Sequence, residues 1–459
     1  MKEEEEKIVP GINKKDIEDS KTTAPAASHV IDIWEPNKER QNFLRERISK
    51  TTPQQLSTAA SKSTCCIFRV PLSFIGTSYK PRLVSIGPYH RNEPHLQMIE
   101  EHKWLYIGSL LSRTATRLED YFKTIHPLEM EARECYSETI NLSTDEFLEM
   151  MVLDGCFILE LFRKVNNSKL FSDNDPLATM DWILPSLYRD FLLLENQIPF
   201  FVLEKLYEIS KMPADQSLSL LAMQFFDRIV ERPKEVIESF RHLKGLHLLD
   251  LFRLSFIPRD PVTPPFRGVR GTGTRIIQCI SKLRRSGIKF TRPVNAESFL
   301  VVKFRHGVIE MPSITLNEFM SSFLVNCVAF EQSHKSFSKH VTTYATLLDC
   351  LVETAEDIEY LCDSNIIEND FGTEADIARF INNMGKDVVF DINRCYLSEL
   401  FNKVDKYYQS NLHRQWASFK NLYLDTPWKF FSALAALMLL MLTILQTVFD
   451  SYGVVHHKT

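Results

Sequence analysis

The sequence has no CxxC pair, no HExxH, no GxSxG and no GxxxxGK[ST], so zinc modules, zincin proteases, serine-hydrolase elbows and phosphate-cradling P-loops find no support in it. Its nine cysteines (Cys65, Cys66, Cys135, Cys156, Cys279, Cys327, Cys350, Cys362 and Cys395) are odd in number and scattered, mostly among apolar neighbours. That pattern suits reduced core thiols in a reducing compartment better than a disulfide framework or a metal site. Glycine is sparse, at 14, and 21 prolines are too few for a long low-complexity region. A net charge of −5 gives no nucleic-acid surface at the level of the whole chain. The N-terminus opens on Lys2 and the acidic run Glu3–Glu6, which is neither a secretory leader nor a myristoylation site. No cofactor and no metal ion are expected.

What is present is a chain of 459 residues, 44% hydrophobic, with 32 phenylalanines. Those numbers favour thick helix-on-helix packing. Helical spacing predicts helices from Pro94 past Leu110, and over about 115–138, 144–165, 180–194, 199–210, 215–231 and 233–254. Others are expected over 275–285, 316–333, 338–354, 356–363, 373–383 and 391–423. Gly287 suits the residue just past a helix end. Short strands or extended segments are expected over Thr64–Pro71 and Leu83–Tyr89, with a hairpin near 298–311. The fold class expected is therefore mostly α: a large helical domain with small β elements and one C-terminal transmembrane helix. The organisation reads as a polar tail (1–28), an N-terminal helical lobe (29–256) and a Pro/Gly-rich loop (257–274). A second lobe follows (275–425), with the hairpin and a juxtamembrane helix, then a span (430–449) and a short tail (450–459).

The expected span is FFSALAALMLLMLTILQTVF, which carries no charge and includes Phe430, Phe431, Leu437, Leu440, Leu445 and Phe449. As a helix its twenty residues would be about 30 Å long, the thickness of a bilayer's hydrocarbon core. Trp428 and Tyr452 stand at its ends. Arg414, Lys420 and Lys429 precede it, and Asp450 and Lys458 follow. The positive-inside rule then puts the main domain in the cytosol, at the plasma membrane or the endoplasmic reticulum. Asn141-Leu-Ser143 and Asn166-Asn-Ser168 match the glycosylation sequon, and sugar on either would reverse that orientation. Ser432 and Ala436 form a small-xxx-small pair, and Leu397–Leu422 has heptad-like spacing; both would serve a homodimer.

Candidate chemistry is thin. Gly268-Val-Arg-Gly-Thr-Gly273 reads as a flexible loop. Lys282, Arg284, Arg285, Lys289 and Arg292 are the densest basic stretch, and most sit where cations complement a helix C-terminus. Asp154 and Glu160 lie inside the apolar run Met150–Phe162, and Glu195 stands beside Asn196 and Gln197. Buried carboxylates can be an acid/base pair. Alternatively they form a structural network with cations such as Arg163, Lys164 and Arg189. Asn196 and Gln197 are also placed to cap a helix beginning near Pro199.

Several segments carry a resemblance. Cys66-Ile-Phe-Arg-Val-Pro71, Tyr79-Lys-Pro, Val84-Ser-Ile-Gly87-Pro-Tyr89-His90 and Met98–Trp104 open it. It continues through Leu153-Asp154-Gly155-Cys-Phe-Ile-Leu-Glu160, Asp190–Leu203 with Glu195-Asn196-Gln197 and Pro199, His247–Asp250, Leu283–Phe290 and Asn326–Gln332. Together they resemble the plant domain of unknown function 247 family from about residue 30 onward. Lys303 and Arg305 depart from it, in a stretch expected to be more acidic. The resemblance implies one C-terminal membrane span and no established catalytic residues. Some members are implicated in pollen–pistil self-incompatibility in grasses, which implies recognition. The expectation is thus a non-enzymatic, membrane-tethered protein whose partners are the lipid bilayer and an unidentified protein. The competing expectation is an enzyme with a site around Asp154, Glu160 and Glu195.

Overall fold

The computed structural model describes residues 38–50, 64–70, 79–171, 175–213, 215–258, 277–386, 388–389, 391–392, 395–410 and 427–456. Residues 1–56 form one unit, in which α1 (Lys38–Lys50) is described. The second unit, residues 57–459, holds everything else.

Its helices run α2 (Gln97–Thr114), α3 (Leu118–Ile125), α4 (Glu129–Glu134), α5 (Thr144–Asn166), α6 (Pro176–Thr179), α7 (Ile183–Asp190), α8 (Phe200–Ser210), α9 (Leu218–Val230), α10 (Lys234–Glu238) and α11 (Leu248–Leu254). Then come α12 (Ile280–Arg285), β1 (Lys289–Thr291), β2 (Lys303–Arg305), β3 (Val308–Glu310), β4 (Ile314–Leu316) and α13 (Glu318–Ser333). The chain ends through α14 (His340–Leu351), α15 (Ala355–Asp363), β5 (Ile367–Asn369), α16 (Glu374–Met384), α17 (Ser398–Gln409) and α18 (Pro427–His456).

Helix α5 is the axis. A capping box of Ser143 and Glu146 starts it, and every residue from Met150 to Val165 is buried. A helix buried all round must be apolar all round or bring partners for its charges, and this one does both. α2, α3, α8 and α9 surround it. Gly155 lets α8 approach, since a Cβ there would run into Leu206. The phenylalanine content goes into one aromatic chain: Phe157 and Phe162 meet Phe191 and Phe225, Phe226 meets Phe252, and Phe252 meets Phe323. These contacts link α5, α9, α11 and α13 in a core whose buried members run from Cys65 to Val404.

The mostly helical expectation holds, with small strands. The expected hairpin is β2 and β3, antiparallel, with Lys303 opposite Glu310. Its two-residue turn needs positive φ at both positions, and His306 (49°) and Gly307 (78°) supply it. Ser298–Val302 is not strand. β1 pairs in parallel with β3, and β4 with β5, two pairings the spacing did not reveal. Gly287 takes φ +85° as expected past α12.

Other boundaries differ for local reasons. The helix expected over 115–138 breaks where Ala115 turns left-handed and again at a 3-10 turn through Pro127. That expected over 233–254 splits into α10 and α11, because Gly245 packs on the Leu251 backbone, where an added Cβ would lie 2.5 Å from its nitrogen. The described residues of the two segments expected to be extended, 64–70 and 83–89, form no ladder apart from one bridge between Ile67 and Tyr136. In α17, Leu400, Phe401 and Val404 are buried in the core, so that apolar face is used within the domain. The rest of the expected juxtamembrane helix, 411–426, and most of the Pro/Gly-rich loop, 259–276, lie outside the described residues.

The expected span falls in α18, a continuous helix of 30 residues. Phe431, Leu437, Leu440 and Leu445 are exposed on it. Among the described residues, however, no helix is long and apolar enough to cross a membrane. Phe430 and Phe449 lie outside the residues whose side chains are described.

Candidate functional site

Backbone amides inside a protein need acceptors, and an extended segment with no neighbouring strand must find them elsewhere. Residues 82–87 find them in side chains. The amides of Arg82, Leu83 and Val84 donate to one oxygen of Asp190, at 2.9, 2.8 and 3.2 Å. Ile86 donates to Asn196 Oδ1 at 2.7 Å, and Asn196 Nδ2 returns a bond to the Val84 carbonyl at 3.0 Å. Gly87 donates to Asp154 Oδ2 at 2.8 Å. Asp190, Asn196 and Asp154 thus act as a side-chain substitute for a strand.

Gly87 sits at φ +74°, and a Cβ there would lie 2.5 Å from the Gln197 carbonyl oxygen. The polypeptide therefore runs against the 195–199 turn as closely as backbone can. Gln197 holds that turn from within, its Nε2 donating to the carbonyls of Phe191 and Leu193 at 2.7 and 2.8 Å. Its Oε1 accepts from the Leu249 amide at 3.2 Å, fastening α11. Asn326 of α13 accepts from the Leu194 amide at 2.8 Å. The expectation that Asn196 and Gln197 cap a helix is corrected here: Pro199 is the residue at the start of α8, and no side chain caps it.

The carboxylates have partners other than those the sequence suggested. Asp154 meets Lys103 Nζ of α2 at 2.6 Å, and Lys103, equally buried, also donates to the Ser85 carbonyl and to Glu100. Glu160 pairs with Arg113 at 2.7 Å, while Arg163 stands 4.0 Å away. Lys164 goes to Asp175 and Arg189 to Asp190. Glu195 accepts from the Val70 amide at 2.7 Å and from Arg69 at 3.2 Å, and His90 Nε2 lies 3.1 Å away. Burial pushes the Glu195 carboxyl up, but His90, the Val70 amide and Arg69 outweigh it and hold its pKa below the usual value. Asp154 and Glu160 are on one helix, six residues or about 9 Å of rise apart, and each is engaged by a different cation.

A second knot ties the later helices. Arg253 of α11 bonds Asp250 Oδ1 at 2.8 Å and Glu331 at 2.9 Å. Glu331 in turn accepts from the amides of Val341 and Thr342 that open α14, at 3.2 and 2.7 Å. His247 is fully buried, its Nε2 3.1 Å from the Cys66 carbonyl and its Nδ1 accepting from the Asp250 amide at 3.2 Å. Burial lowers its pKa to about 4.

Of the residues singled out from sequence, the structure brings Gly87, Asp154, Asn196 and Gln197 together. Gly155 belongs to the α5–α8 contact, and Tyr89 packs edge-on against Tyr136 at 5.5 Å. Trp104 is half exposed on α2, and Pro71 lies outside the described residues. Lys103, Asp190, Asn326 and Arg253 went unassigned from sequence. Asn326 stood as a lone amide in the apolar run Phe323–Phe330, whereas Lys103 follows Glu100, Glu101 and His102, and Asp190 follows Arg189, so neither was marked locally. The basic stretch is solvent-facing as expected, with Lys282 3.4 Å from Glu353 and Arg292 3.4 Å from Glu368. All nine cysteines are free. Among the described residues no group of His, Cys, Asp or Glu gathers as a metal site would require.

A family model of plant proteins of unknown function, DUF247, matches residues 67–442, the span that holds all of this network. The chain belongs to that family. It is 37% identical over 420 residues to the UPF0481 protein At3g47200 of Arabidopsis thaliana, covering 86% of this chain and 88% of that one. It is 22% identical over 489 residues to the putative UPF0481 protein At3g02645 of the same plant, covering 85% and 91%. No solved structure matches. The DUF247 residues that stand out in sequence are, in this member, those that fasten an unladdered segment to the helical core.

Proposed function

We propose that this DUF247 protein is a membrane-tethered, single-pass recognition protein that acts by binding another protein through its helical domain, without catalysis. One observation carries the non-catalytic part. The carboxylates an enzyme would need, Asp154, Glu160 and Glu195, are already engaged by cations or main-chain amides. A general acid or base must have a proton position open to substrate, and a carboxylate occupied by structural partners has little to offer. Recognition in signalling, of the kind that self-incompatibility represents, is what the resemblance to the DUF247 family implies.

The tether rests on α18. Its 30 residues make a helix of about 45 Å, and the sequence from Phe430 to Phe449 is uncharged. An isolated helix with Leu437, Met438, Leu439, Leu440, Met441 and Leu442 all more than half exposed needs an apolar surrounding, which a bilayer supplies. The flanking charges support a cytosolic domain, and helix pairing through Ser432 and Ala436 would give a homodimer.

Membrane fractionation of the full chain, followed by alkaline carbonate extraction and protease protection with a tag at each end, tests this. The expected result is an integral protein whose N-terminal tag is digested and whose C-terminal tag survives. Extraction into the soluble fraction would refute the tether. Asn141 is an exposed sequon and serves as an internal reporter: a glycan on it would place the domain on the other side.

A further inference from the structure

Where α5, α8, α9 and α10 meet beside the end of α2, the second unit has an open pocket of about 950 Å³. Its walls carry Arg113, Arg163, Arg228, Arg232 and Lys234. Two of these cations are spent on structure: Arg113 on Glu160 at 2.7 Å and Arg232 on Asp227 at 2.6 and 3.1 Å. The lining carboxylate Glu238 is likewise taken, by Arg241 at 2.8 Å. Arg228 donates to the Val165 carbonyl at 2.6 Å, and neither it nor Lys234 has a carboxylate partner among the described residues.

Arg163 is the decisive group. It is 4% exposed, and only its Nη2 is bonded, to the carbonyl and hydroxyl of Ser210 at 3.1 Å. Its Nε and Nη1 have no hydrogen-bond partner, although Asp215 Oδ2 stands 3.4 Å from Nε. Burial and the neighbouring Arg113 lower its pKa from the usual guanidinium value, against the opposing pull of Asp215 and Glu160. A buried guanidinium with idle donors is costly unless something accepts from them. Arg163, Arg228 and Lys234 then face Asp215, with Glu160, already paired to Arg113, 4.0 Å from Arg163, which leaves a surplus of about two positive charges in a space that suits a small molecule.

We infer that this cavity binds a phosphate monoester, its dianion held by Arg163, Arg228 and Lys234. Arginine forks match phosphate oxygens in pairs, and the lysine adds a point charge at the rim. Asn166, Asn167, Gln216 and Gln224, also in the wall, are placed to read the group the phosphate carries.

The test is calorimetric titration of the detergent-solubilised full-length chain with glycerol 3-phosphate and with inorganic phosphate, against acetate at matched ionic strength. Both phosphates are expected to bind and acetate is not. Arg228→Gln and Lys234→Gln are expected to weaken binding about tenfold each; Lys234→Gln should leave thermal unfolding unchanged, whereas Arg228→Gln also gives up its bond to the Val165 carbonyl and should lower the unfolding temperature slightly. Arg163→Lys keeps the charge and loses the fork, and is expected to weaken it further. Phosphatidic acid in the micelles separates two sources. Competition assigns the phosphate to a lipid headgroup, its absence to a soluble ester, and the site stands in both. Phosphate binding no better than acetate would overturn the inference. So would full binding by the Arg228→Gln/Lys234→Gln double variant, leaving the arginines as helix-end caps only. None of these outcomes depends on the tether or on the recognition role.

Discussion

Two polar regions lie along helix α5, and they end up in opposite states. At its first half, Asp154 joins Asp190, Asn196 and Gln197 in a knot where amides, carbonyls and a lysine answer one another at 2.6–3.2 Å. At its far end, Arg163 is as deeply buried but keeps two nitrogens without an acceptor. Burial and charge are therefore no guide to function here; what separates the two is whether the hydrogen-bond demand is met from within. The first region holds the chain together. The second has something left to give.

If the first region is structural, breaking it should unfold the protein. The largest effect is expected for Asp190→Ala, which strands the buried amides of Leu83 and Val84 at about 1–3 kcal/mol each, together with the part-buried Arg82 amide, and takes the carboxylate away from Arg189. Chemical denaturation followed by circular dichroism should show a loss of at least about 4 kcal/mol or no cooperative transition. Lys103→Met should cost about 3–5 kcal/mol by leaving Asp154 buried without its cation. The double variant Lys103→Met/Asp154→Leu should recover part of that, since an apolar pair asks for no partner; recovery is not complete because the Gly87 amide and Ser85 carbonyl then go unanswered. A double variant as unstable as the sum would mean that the pair is not coupled.

A pH profile sharpens the same contrast at α11. His247 is neutral because burial lowers its pKa to about 4, and its Nδ1 is already used to accept the Asp250 amide. Protonation there forfeits that bond. Between pH 6.5 and about 4 the unfolded chain takes up a proton the folded chain refuses, so stability should fall as pH drops through that window and level off below it. The contribution is about 3 kcal/mol. His340, whose pKa burial likewise lowers to about 4, adds to the same slope. His247→Asn keeps an acceptor at the start of α11 and cannot titrate, so the slope should flatten without disappearing. An unchanged slope would place the titration elsewhere.

How far the sequence could foretell this follows from which signals are local. Helices α5, α8, α9, α13 and α16 were legible because apolar spacing marks them on the spot. Buried carboxylates were legible as Asp154 and Glu160 in an apolar run. Their partners were not: Lys103 and Arg113 lie 51 and 47 residues away, and only the packing of α2 on α5 brings them near. For the same reason Asn196 and Gln197 read as a cap, when their acceptors and donors lie as far off as Ile86 and Leu249. The pairings of β1 with β3 and β4 with β5 involve three-residue strands, too short for a period to show. Arg163 was read as a partner for carboxylates, since idle donors cannot be seen without the fold.

The smallest expected effect isolates burial from bond count. Arg82 and Glu318 form an ion pair across 236 residues of sequence, joining the extended segment to α13, much as Lys103 and Asp154 join α2 to α5. The difference is solvent: the Arg82 and Glu318 side chains are 52% and 63% exposed, those of Lys103 and Asp154 2% and 3%. In water the charges are screened and each side chain gives up rotamer freedom to meet the other, so the pair is worth about 0–1 kcal/mol. Arg82→Ala leaves its own amide on Asp190 and removes only that pair. Its unfolding free energy should fall by about 0.5 kcal/mol or less, and less again in high salt. A loss approaching that of Lys103→Met would mean that the clasp is held by its long-range ion pairs wherever they lie, and the division drawn between satisfied interior and available donors would have to rest on Arg163 alone.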